Sequence, residues 1–332
     1  MSDPVALHGG PDALGVPLHD FSTNANACGP CPQALAALVQ ADRRHYPDPG
    51  YTALRARLGA FHGVVAGRIV IAASASEFIH RITAFAARGG LRHAVVPMHG
   101  YGDYARAARV WGLAVVEAAQ APALRWACEP ASPLGRADTA LAAWAQSPGA
   151  PGGLRVLDRA YAPLRLEGAA AAPPDDVWQL WSPNKALGLT GVRAAYAIAP
   201  AAAVADGSVA ALQALAPSWP VGADGVALLT AWVRGDTQVW LAQSLVTLRD
   251  WKAAQLRLCA HLGWAVLPGS LANFFTARPL VEDLPAVLQA LRGQGIKLRD
   301  CASFGLPGHV RLGVLAPQAQ QALALIWRQC TT

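Results

Sequence analysis

Short apolar stretches alternate with longer amphipathic stretches between residues 51 and 199. Short apolar runs predict buried strands, and apolar positions three or four residues apart predict helices that pack on them. The predicted strands are Arg68–Ala73, His93–Pro97, Leu113–Glu117, Leu124–Cys128, Leu154–Asp158, Val177–Ser182 and Ala194–Ala199, and the predicted helices are 51–62, Ser76–Ala87 and 101–111. This alternation predicts an α/β domain in which a mostly parallel sheet lies between helices.

The two ends of the chain have a different pattern. Residues 1–35 are rich in Gly, Pro, Asn and His, and a short helix is predicted over Gln33–Arg44. The last third begins with one long helical stretch, about residues 221–262. It continues with predicted strands Trp264–Leu267, Phe274–Arg278, Lys297–Arg299 and Val310–Val314, and with helices over 283–293 and from Pro317.

Size and composition predict a globular chain of two unequal domains. The chain has 332 residues, of which 53% are hydrophobic and 14% charged, so it can bury a large core. Single cores stop growing at roughly 250–300 residues. We therefore predict an N-terminal arm (1–45) that belongs to the small domain, a large domain (46–225), and an interdomain helix with a smaller α+β domain (226–332).

The net charge of +6 is spread along the chain rather than clustered. Scattered arginines favour anionic small molecules over nucleic acid as ligands. No apolar run reaches the roughly 18–20 residues of a membrane span. The N-terminal sequence Met-Ser-Asp-Pro does not resemble a signal peptide, so we expect a cytosolic protein that binds neither nucleic acid nor membrane.

The six cysteines do not form a disulfide framework in a chain of this kind. Cys28-Gly29-Pro30-Cys31 has the spacing of a dithiol redox motif, but it follows a polar stretch rather than a strand. No cluster of cysteine and histidine has metal-ligand spacing, and we predict no metal site.

Lysine is rare, with only Lys185, Lys252 and Lys297 in the chain. Lys252 and Lys297 are predicted to be solvated. Lys185 follows an apolar strand in a glycine-containing turn, where a lysine can have a lowered pKa and form a Schiff base. Ser182 and Arg193 flank it and could hold a phosphate. A lone lysine is more often a surface charge, so the assignment depends on its neighbours.

A carboxylate ends another predicted strand. Asp158 closes the run Val156-Leu157-Asp158, and Tyr161 follows it. In α/β sheets, ligands bind at the carboxyl ends of strands, although an aspartate there can equally cap a turn. A lysine, an aspartate and a Ser/Arg phosphate clamp together are the groups that pyridoxal phosphate requires.

On these residues the sequence resembles the fold-type I pyridoxal-phosphate enzymes of the class I/II aminotransferase group, over nearly the whole chain. The resemblance implies that Lys185 forms the Schiff base with the cofactor. It implies that Asp158 pairs with the pyridinium nitrogen and that Tyr161 hydrogen-bonds the 3′-oxygen. The implied fold is a large domain with a mostly parallel sheet and a smaller α+β C-terminal domain.

The resemblance also assigns the cofactor phosphate and the ring face. Four residues match phosphate contacts: Ala75, Ser76, Ser182 and Arg193. Helix N-termini such as the one at Ala75 favour anions because their N–H groups are free. Tyr101 occupies the ring-stacking position. Tyr46 matches a tyrosine that reaches the cofactor phosphate of the neighbouring subunit, which implies a homodimer with shared active sites.

Two positions depart from the family pattern. The segment Glu129–Gly135 stands where the family has Asn-Pro-Asn-Asn-Pro-Thr-Gly, and it places Ser132 where an asparagine normally contacts the 3′-oxygen. Ser74 stands where glycine is common before the phosphate-binding helix, and we expect it to tighten that turn. Cofactor binding is expected to tolerate both changes.

The ends of the chain are similar to particular members of the family. His8-Gly9-Gly10 and Asp20 to Asn26 look like the opening of threonine-phosphate decarboxylases of cobalamin biosynthesis. Leu298 to Phe304, with Val310-Arg311-Leu312, is similar both to those enzymes and to histidinol-phosphate aminotransferases. The resemblance implies that Arg311 binds the substrate α-carboxylate. Arg299, helped by His8 and Asn24, would face the substrate phosphate.

We therefore predict an enzyme that acts on a small phosphorylated amino substrate, first of all L-threonine O-3-phosphate, by decarboxylation. Transamination, for example of histidinol phosphate, is the alternative, because the two reactions differ only in which bond at the α-carbon is aligned for cleavage. A nucleic-acid binder or an inactive interaction module of the same fold are the alternatives outside enzymes.

Overall fold

A computed structural model describes residues 9–118, 122–147 and 149–331. Its strands are β1 (His19–Asp20), β2 (Ile69–Ala72), β3 (His93–Val95), β4 (Ala114–Val116), β5 (Leu124–Cys128), β6 (Leu154–Asp158), β7 (Val177–Trp181), β8 (Ala195–Ile198), β9 (Ala265–Val266), β10 (Phe274–Arg278), β11 (Ile296–Lys297), β12 (Arg299–Asp300) and β13 (Val310–Gly313). Its helices are α1 (Pro32–Val39), α2 (Thr52–His62), α3 (Ala75–Arg88), α4 (Gly102–Val110), α5 (Thr139–Gln146), α6 (Ala202–Ala205), α7 (Ser208–Ala214), α8 (Ala223–Trp232), α9 (Gly235–His261), α10 (Leu284–Gly293) and α11 (Pro317–Thr331).

Seven strands form the large sheet, in the order β2-β8-β7-β6-β5-β3-β4. All its neighbours pair in parallel except β8, which is antiparallel to both β2 and β7. The predicted α/β fold with a mostly parallel sheet is therefore confirmed. Cys128 lies opposite Asp158 across β5 and β6, and Asp158 lies opposite Leu180 of β7. The carboxyl ends of these three strands therefore meet at one edge of the sheet.

Both faces of the large sheet are covered by helices. Ile69 and Ile71 of β2 belong to a buried cluster that includes residues of α1, α2, α8 and α9. Val70 and Ala72, which alternate with them, belong to a second cluster with residues of α3, α4 and α7. Side chains alternate between the faces of a strand, so one strand supplies both cores. The result is a sheet buried between two helical layers.

A smaller four-stranded sheet has the antiparallel order β12-β13-β10-β9. Phe275, Leu312 and Trp327 lie in its core, and Phe21 from the N-terminal arm joins them. The arm also pairs with the C-terminal part of the chain, because β1 runs parallel to β11. The domain boundaries at residues 45 and 225 stay predictions.

The structure corrects several predicted elements. The first helix ends at Val39, and residues 42–45 form a turn in which the Asp42 carboxylate accepts from the backbone and side chain of Arg44. The long helix predicted over 221–262 is two helices, because Arg234 has an extended backbone. The predicted strand Lys297–Arg299 is divided between two sheets. Three helices in polar or alanine-rich segments were missed: α5, α6 and α7.

The prediction that Lys252 is solvated was wrong. Lys252 is buried, where it pairs with Glu167 at 2.8 Å and donates to the carbonyl of Ser270 at 2.5 Å. Lys297 forms an ion pair with Asp12 at 2.9 Å. These partners offset the desolvation of each ammonium group near the protein interior.

No helix among the described residues is long and apolar enough to cross a membrane. All six cysteines are free thiols, including Cys28 and Cys31. In the described ranges, no group of three or more His, Cys, Asp or Glu residues is arranged to hold a metal ion.

Candidate active site

Asp158 and Lys185 lie together at the carboxyl edge of the large sheet. Asp158 is the last residue of β6, and Lys185 lies in the turn that follows β7, the neighbouring strand. The Lys185 ammonium lies 5.5 Å from the centre of the Tyr161 ring. Its positive charge also acts to lower the pKa of Asp158. The structure thus brings together the three residues predicted to be catalytic.

The turn that carries Lys185 is held by the N-terminal arm. The carbonyl of Lys185 accepts from the Asn26 amide at 2.9 Å, and the Asn26 side chain donates to the carbonyl of Ala186 at 3.1 Å. Gly188 has a φ of +66°, and a Cβ there would lie 3.0 Å from the Cα of Gly29. Only glycine fits both conditions. Within the described ranges, the Lys185 ammonium has no hydrogen bond or ion pair, so it is available for chemistry.

Asp158 is a buried carboxylate with two donors. The Tyr104 hydroxyl donates to Oδ2 at 2.7 Å, and the Ala160 amide donates to Oδ1 at 2.8 Å. Burial raises the pKa of Asp158, while these two hydrogen bonds and Lys185 act in the opposite direction; the net shift is upward. A cation placed beside the carboxylate would favour its charged form.

The N-terminus of α3 lies beside Tyr101. The hydroxyl groups of Ser76 and Tyr101 are 3.2 Å apart. Ser74 caps the helix, and its side chain accepts from the Glu77 amide at 3.1 Å. Its φ of −169° is ordinary extended backbone, so a serine here causes no strain in the turn. The amides of Ala75 and Ser76 have no partner within the helix, as expected for the first residues of a helix.

Two further phosphate candidates also have free polar groups. The Ser182 hydroxyl is buried and has no hydrogen-bond partner among the described residues. Arg193 is exposed, and it lines a cleft of about 660 Å³ together with Tyr46. Tyr46 is 77% exposed and stacks on Trp219, with 4.5 Å between the ring centres. The contact of Tyr46 with a second subunit stays a prediction.

The two arginines assigned to the substrate lie next to each other. Arg299 of β12 is directly opposite Arg311 of β13, and both are buried. Arg311 donates to the Ser132 hydroxyl at 2.9 Å and to the Ser22 carbonyl at 2.7 Å. Arg299 donates to the Ser303 hydroxyl at 2.7 Å. Burial, and then the charge of Arg311, lower the pKa of Arg299. Such a pair of adjacent cations attracts anions.

Asn24 is also buried, and neither polar atom of its side chain has a partner among the described residues. Its backbone carbonyl accepts from the Asn273 side chain at 3.2 Å, which holds the arm in place. A buried amide without partners is costly unless something binds it. His8, the other residue predicted to help Arg299, lies outside the described residues.

Aromatic residues that the sequence analysis did not assign connect the two halves of the site. Phe274 packs edge-on against Tyr161 at 4.8 Å and lies 5.7 Å from the Arg311 guanidinium. Phe304 lies 4.8 Å from the Arg299 guanidinium and 5.7 Å from that of Arg311. The position of Tyr104 near the site could have been predicted from the sequence, since Tyr104 follows Tyr101 by one helical turn. Phe274 lies on β10 and Phe304 lies in a short helical turn after β12, and both reach the site through long-range packing, for which the sequence offered no local signal.

These residues fit pyridoxal phosphate. The unpartnered Ser182 hydroxyl, the free helix N-terminus and Arg193 are donors suited to a phosphate. The free Lys185 amine suits a carbonyl carbon, and the buried Asp158 carboxylate suits a protonated ring nitrogen. Each group lacks a complete set of partners within the described part of the chain, which is what a cofactor would supply.

Comparisons with known proteins agree with this chemistry. The sequence pattern of "Aminotransferase class I and II" matches residues 152–325. Histidinol-phosphate aminotransferase from Halorubrum lacusprofundi is 30% identical over 317 residues, which cover 88% of this chain and 83% of that protein. Histidinol-phosphate aminotransferase 1 from Bradyrhizobium diazoefficiens is 28% identical over 306 residues, which cover 84% of this chain and 83% of that protein.

Solved structures share the fold. Histidinol-phosphate aminotransferase from Sinorhizobium meliloti, in complex with pyridoxal 5′-phosphate, aligns with a TM-score of 0.76 at 22% identity, covering 92% of this chain and 89% of that one. L-threonine-O-3-phosphate decarboxylase from Porphyromonas gingivalis aligns with a TM-score of 0.76 at 22% identity, covering 93% of this chain and 98% of that one. This chain therefore belongs to the class I and II aminotransferase family, and it is an enzyme whose cofactor is pyridoxal phosphate.

Proposed function

We propose that the protein decarboxylates L-threonine O-3-phosphate, or a close analogue, in the supply of the cobalamin side chain. The observation that carries this proposal is the pairing of Arg299 with Arg311 across β12 and β13. Directly opposite residues in an antiparallel pair have Cα atoms about 4.5–5.5 Å apart. The guanidinium groups of Arg299 and Arg311 lie 4.8 Å and 5.7 Å from the centre of the same Phe304 ring, so a small substrate with two anionic groups can engage both.

L-threonine O-3-phosphate has this arrangement, because its carboxylate and its phosphate are attached to neighbouring carbons. In the proposed complex Arg311 binds the carboxylate and Arg299 binds the phosphate, each through paired N–H donors. The Asn24 amide, which is buried without a partner in the described part of the chain, provides a further donor to the phosphate. Phe274 and Phe304 lie against the arginines and keep this part of the site apolar.

The residues at the sheet edge perform the chemistry in this proposal. Pyridoxal phosphate, when bound, supplies a protonated ring that withdraws electrons from the substrate α-carbon. Asp158 keeps that ring protonated through its negative charge, and Ser182, Arg193 and the α3 N-terminus hold the phosphate. Lys185 delivers a proton to the α-carbon after the carboxylate has left as carbon dioxide, which yields aminopropanol phosphate. Arg311 sets which bond at the α-carbon is aligned for cleavage.

Transamination is the second candidate, and a specific observation favours it. Relatives that match most of this chain at 28–30% identity include histidinol-phosphate aminotransferases. In that reaction Lys185 would move a proton away from the α-carbon instead of delivering one to it. The two reactions are distinguished by their need for an oxo-acid acceptor, which decarboxylation does not require.

We also propose a homodimer in the cytosol, with each active site completed by the partner subunit. Support comes from Tyr46 and Trp219, a stacked aromatic pair that is 77% and 40% exposed, and Tyr46 lines the same cleft as Arg193. Exposed aromatic clusters mark interaction surfaces. Mixing Tyr46→Ala subunits with Lys185→Ala subunits tests the proposal, because only a shared site allows the mixture to regain activity that neither variant has.

The decisive experiment incubates the cofactor-loaded protein with L-threonine O-3-phosphate and no oxo acid. Mass spectrometry should detect aminopropanol phosphate and carbon dioxide in equal amounts over many turnovers. L-threonine, which lacks the phosphate, is the matched substrate control. Turnover of histidinol phosphate that requires 2-oxoglutarate, together with no product from threonine phosphate, would establish the transaminase instead.

A further inference from the structure

Tyr104 lies directly behind the carboxylate that faces the cofactor site. It is 1% exposed, and its hydroxyl donates to Asp158 Oδ2 at 2.7 Å. The phenol ring stacks on Trp126 with 4.6 Å between ring centres and 15° between planes. This stacking leaves the ring little freedom, so the hydroxyl is held at one position relative to the carboxylate.

The same side chain also contacts the residue assigned to the face of the cofactor ring. Tyr104 and Tyr101 pack edge to face at 5.8 Å and 87°. Tyr101 in turn contacts Ser76 at the N-terminus of α3. One buried ring is therefore in contact with both the carboxylate for the ring nitrogen and the aromatic group for the ring face.

Among the residues that the structure describes, few charged or titratable side chains face Asp158 from the surrounding elements. They are Tyr104 of α4, Cys128, which is its cross-strand neighbour on β5, and Lys185 after β7. The Cys128 thiol donates to the Pro130 carbonyl at 3.4 Å. Lys185 is the group that reacts with the cofactor, so it is not available as a permanent counter-ion. Tyr104 is then the side-chain donor that stays with Asp158 throughout.

We propose that Tyr104 is a positioning residue for the cofactor, because its hydroxyl holds the Asp158 carboxylate charged and fixed in the orientation that receives the protonated ring nitrogen. This inference rests on the proposed role of Asp158. It predicts a specific effect, since loss of the hydroxyl should weaken only those ligands that carry a basic ring nitrogen. A merely structural role for Tyr104 would weaken all ligands of the same shape alike.

The test measures binding to the full chain after the cofactor has been removed. Quenching of tryptophan fluorescence gives dissociation constants for pyridoxal phosphate and for its 1-deaza analogue, in which carbon replaces the ring nitrogen. For Tyr104→Phe we expect pyridoxal phosphate to bind about tenfold more weakly, as for the loss of a hydrogen bond to a charged group. The affinity for the 1-deaza analogue should be unchanged.

Tyr196→Phe is the matched control, because Tyr196 is a buried tyrosine whose hydroxyl contacts His62 at 2.8 Å and accepts from Trp232. This control should leave both dissociation constants unchanged. If Tyr104→Phe does not purify as a folded chain, the same two ligands can be compared on Tyr104→His, which keeps a ring donor, and on Tyr104→Leu, which has none. Equal weakening of both ligands, or of neither, by Tyr104→Phe would overturn the inference.

Asp158→Asn separates a failure of this inference from a failure of the proposed function. If Asp158→Asn leaves the preference for pyridoxal phosphate over the 1-deaza analogue intact, the proposed role of Asp158 itself is wrong. If Asp158→Asn removes that preference and Tyr104→Phe does not, only the role of Tyr104 is wrong. In the double variant, Tyr104→Phe should add no further loss, because the two residues act through the same contact.

Discussion

The proposed cofactor half and the proposed substrate half of the site differ in how complete the hydrogen bonding of their side chains is. Lys185, Ser182 and Asp158 lie at the edge of one sheet, where the first two have no polar partner among the described residues and the third has a pKa raised by burial. Arg299 and Arg311 lie on the smaller sheet and already donate to Ser303, Ser132 and the Ser22 carbonyl.

This difference suggests that the two groups of residues have different roles. Buried polar groups without partners in the cofactor half carry an energetic cost that is removed when the cofactor binds them. Substitutions of these residues should therefore affect every reaction of the enzyme. Groups that are already hydrogen-bonded are part of the folded structure, and substitutions there should change substrate preference and also stability. Substitutions in the two halves of the site test this difference.

The largest effect is expected for Lys185→Ala. Turnover should fall by about a thousandfold or more, since a general acid–base group contributes roughly 10²–10⁴-fold and this residue also holds the cofactor. The visible absorbance of the covalently bound cofactor should disappear. The matched control is Lys252→Met, which removes a buried lysine outside this site and should lower stability without abolishing that absorbance. Covalent cofactor in Lys185→Ala would contradict the assignment.

A smaller and more selective effect is expected for Arg299→Lys. This change replaces the paired guanidinium donors by a single ammonium, which should lower kcat/KM for threonine phosphate by about 10–100-fold. Turnover of unphosphorylated threonine, however slow, should be unchanged. Arg311→Lys is the companion variant and should lower kcat/KM for both substrates. Equal losses on both substrates for Arg299→Lys would show that it does not bind the phosphate.

Asp158→Asn should stabilise the cofactor-free chain at neutral pH, by about 1 kcal/mol, although it weakens cofactor binding. A carboxyl whose folded pKa is raised destabilises the fold once it is ionised, and this cost is removed as the pH falls through the folded pKa. The stability gain of the variant should therefore shrink on acidification. Arg311→Gln, in contrast, should destabilise the chain because Ser132 and the Ser22 carbonyl lose their donor. Urea unfolding of both variants measures the contrast.

The smallest effect is expected for Ser132→Asn, which restores the residue common in the family. The longer amide should accept from Arg311 and also donate to the cofactor 3′-oxygen, tightening cofactor binding by about two- to tenfold. The dissociation constant measured for the cofactor-free chain would test this. Weaker binding would mean that the Ser132–Arg311 contact needs the shorter side chain.

The local pattern of apolar and polar residues predicted much of the fold and the placement of the cofactor half of the site. The strands Leu124–Cys128, Leu154–Asp158 and Phe274–Arg278 have the predicted bounds, because each is a short apolar run between clear turn signals. Asp158 and Lys185 follow consecutive parallel strands, whose carboxyl ends necessarily share an edge. Their proximity therefore follows from the order of elements along the chain.

The other features of the site depend on contacts between segments that are distant in sequence. Lys252 is buried because Glu167 and Ser270 meet it, and the Asn24 amide is buried because the arm joins the C-terminal part of the chain. Arg299 lies opposite Arg311 through the register of an antiparallel pair, and Tyr104 meets Asp158 from a helix 54 residues away in sequence. Periodicity reports which face of an element is buried, but not which partner covers it. The sequence by itself therefore determined the sheet and the edge at which Asp158 and Lys185 lie, whereas only the tertiary structure decided the contacts of the arginine pair and of Tyr104, since those depend on long-range packing.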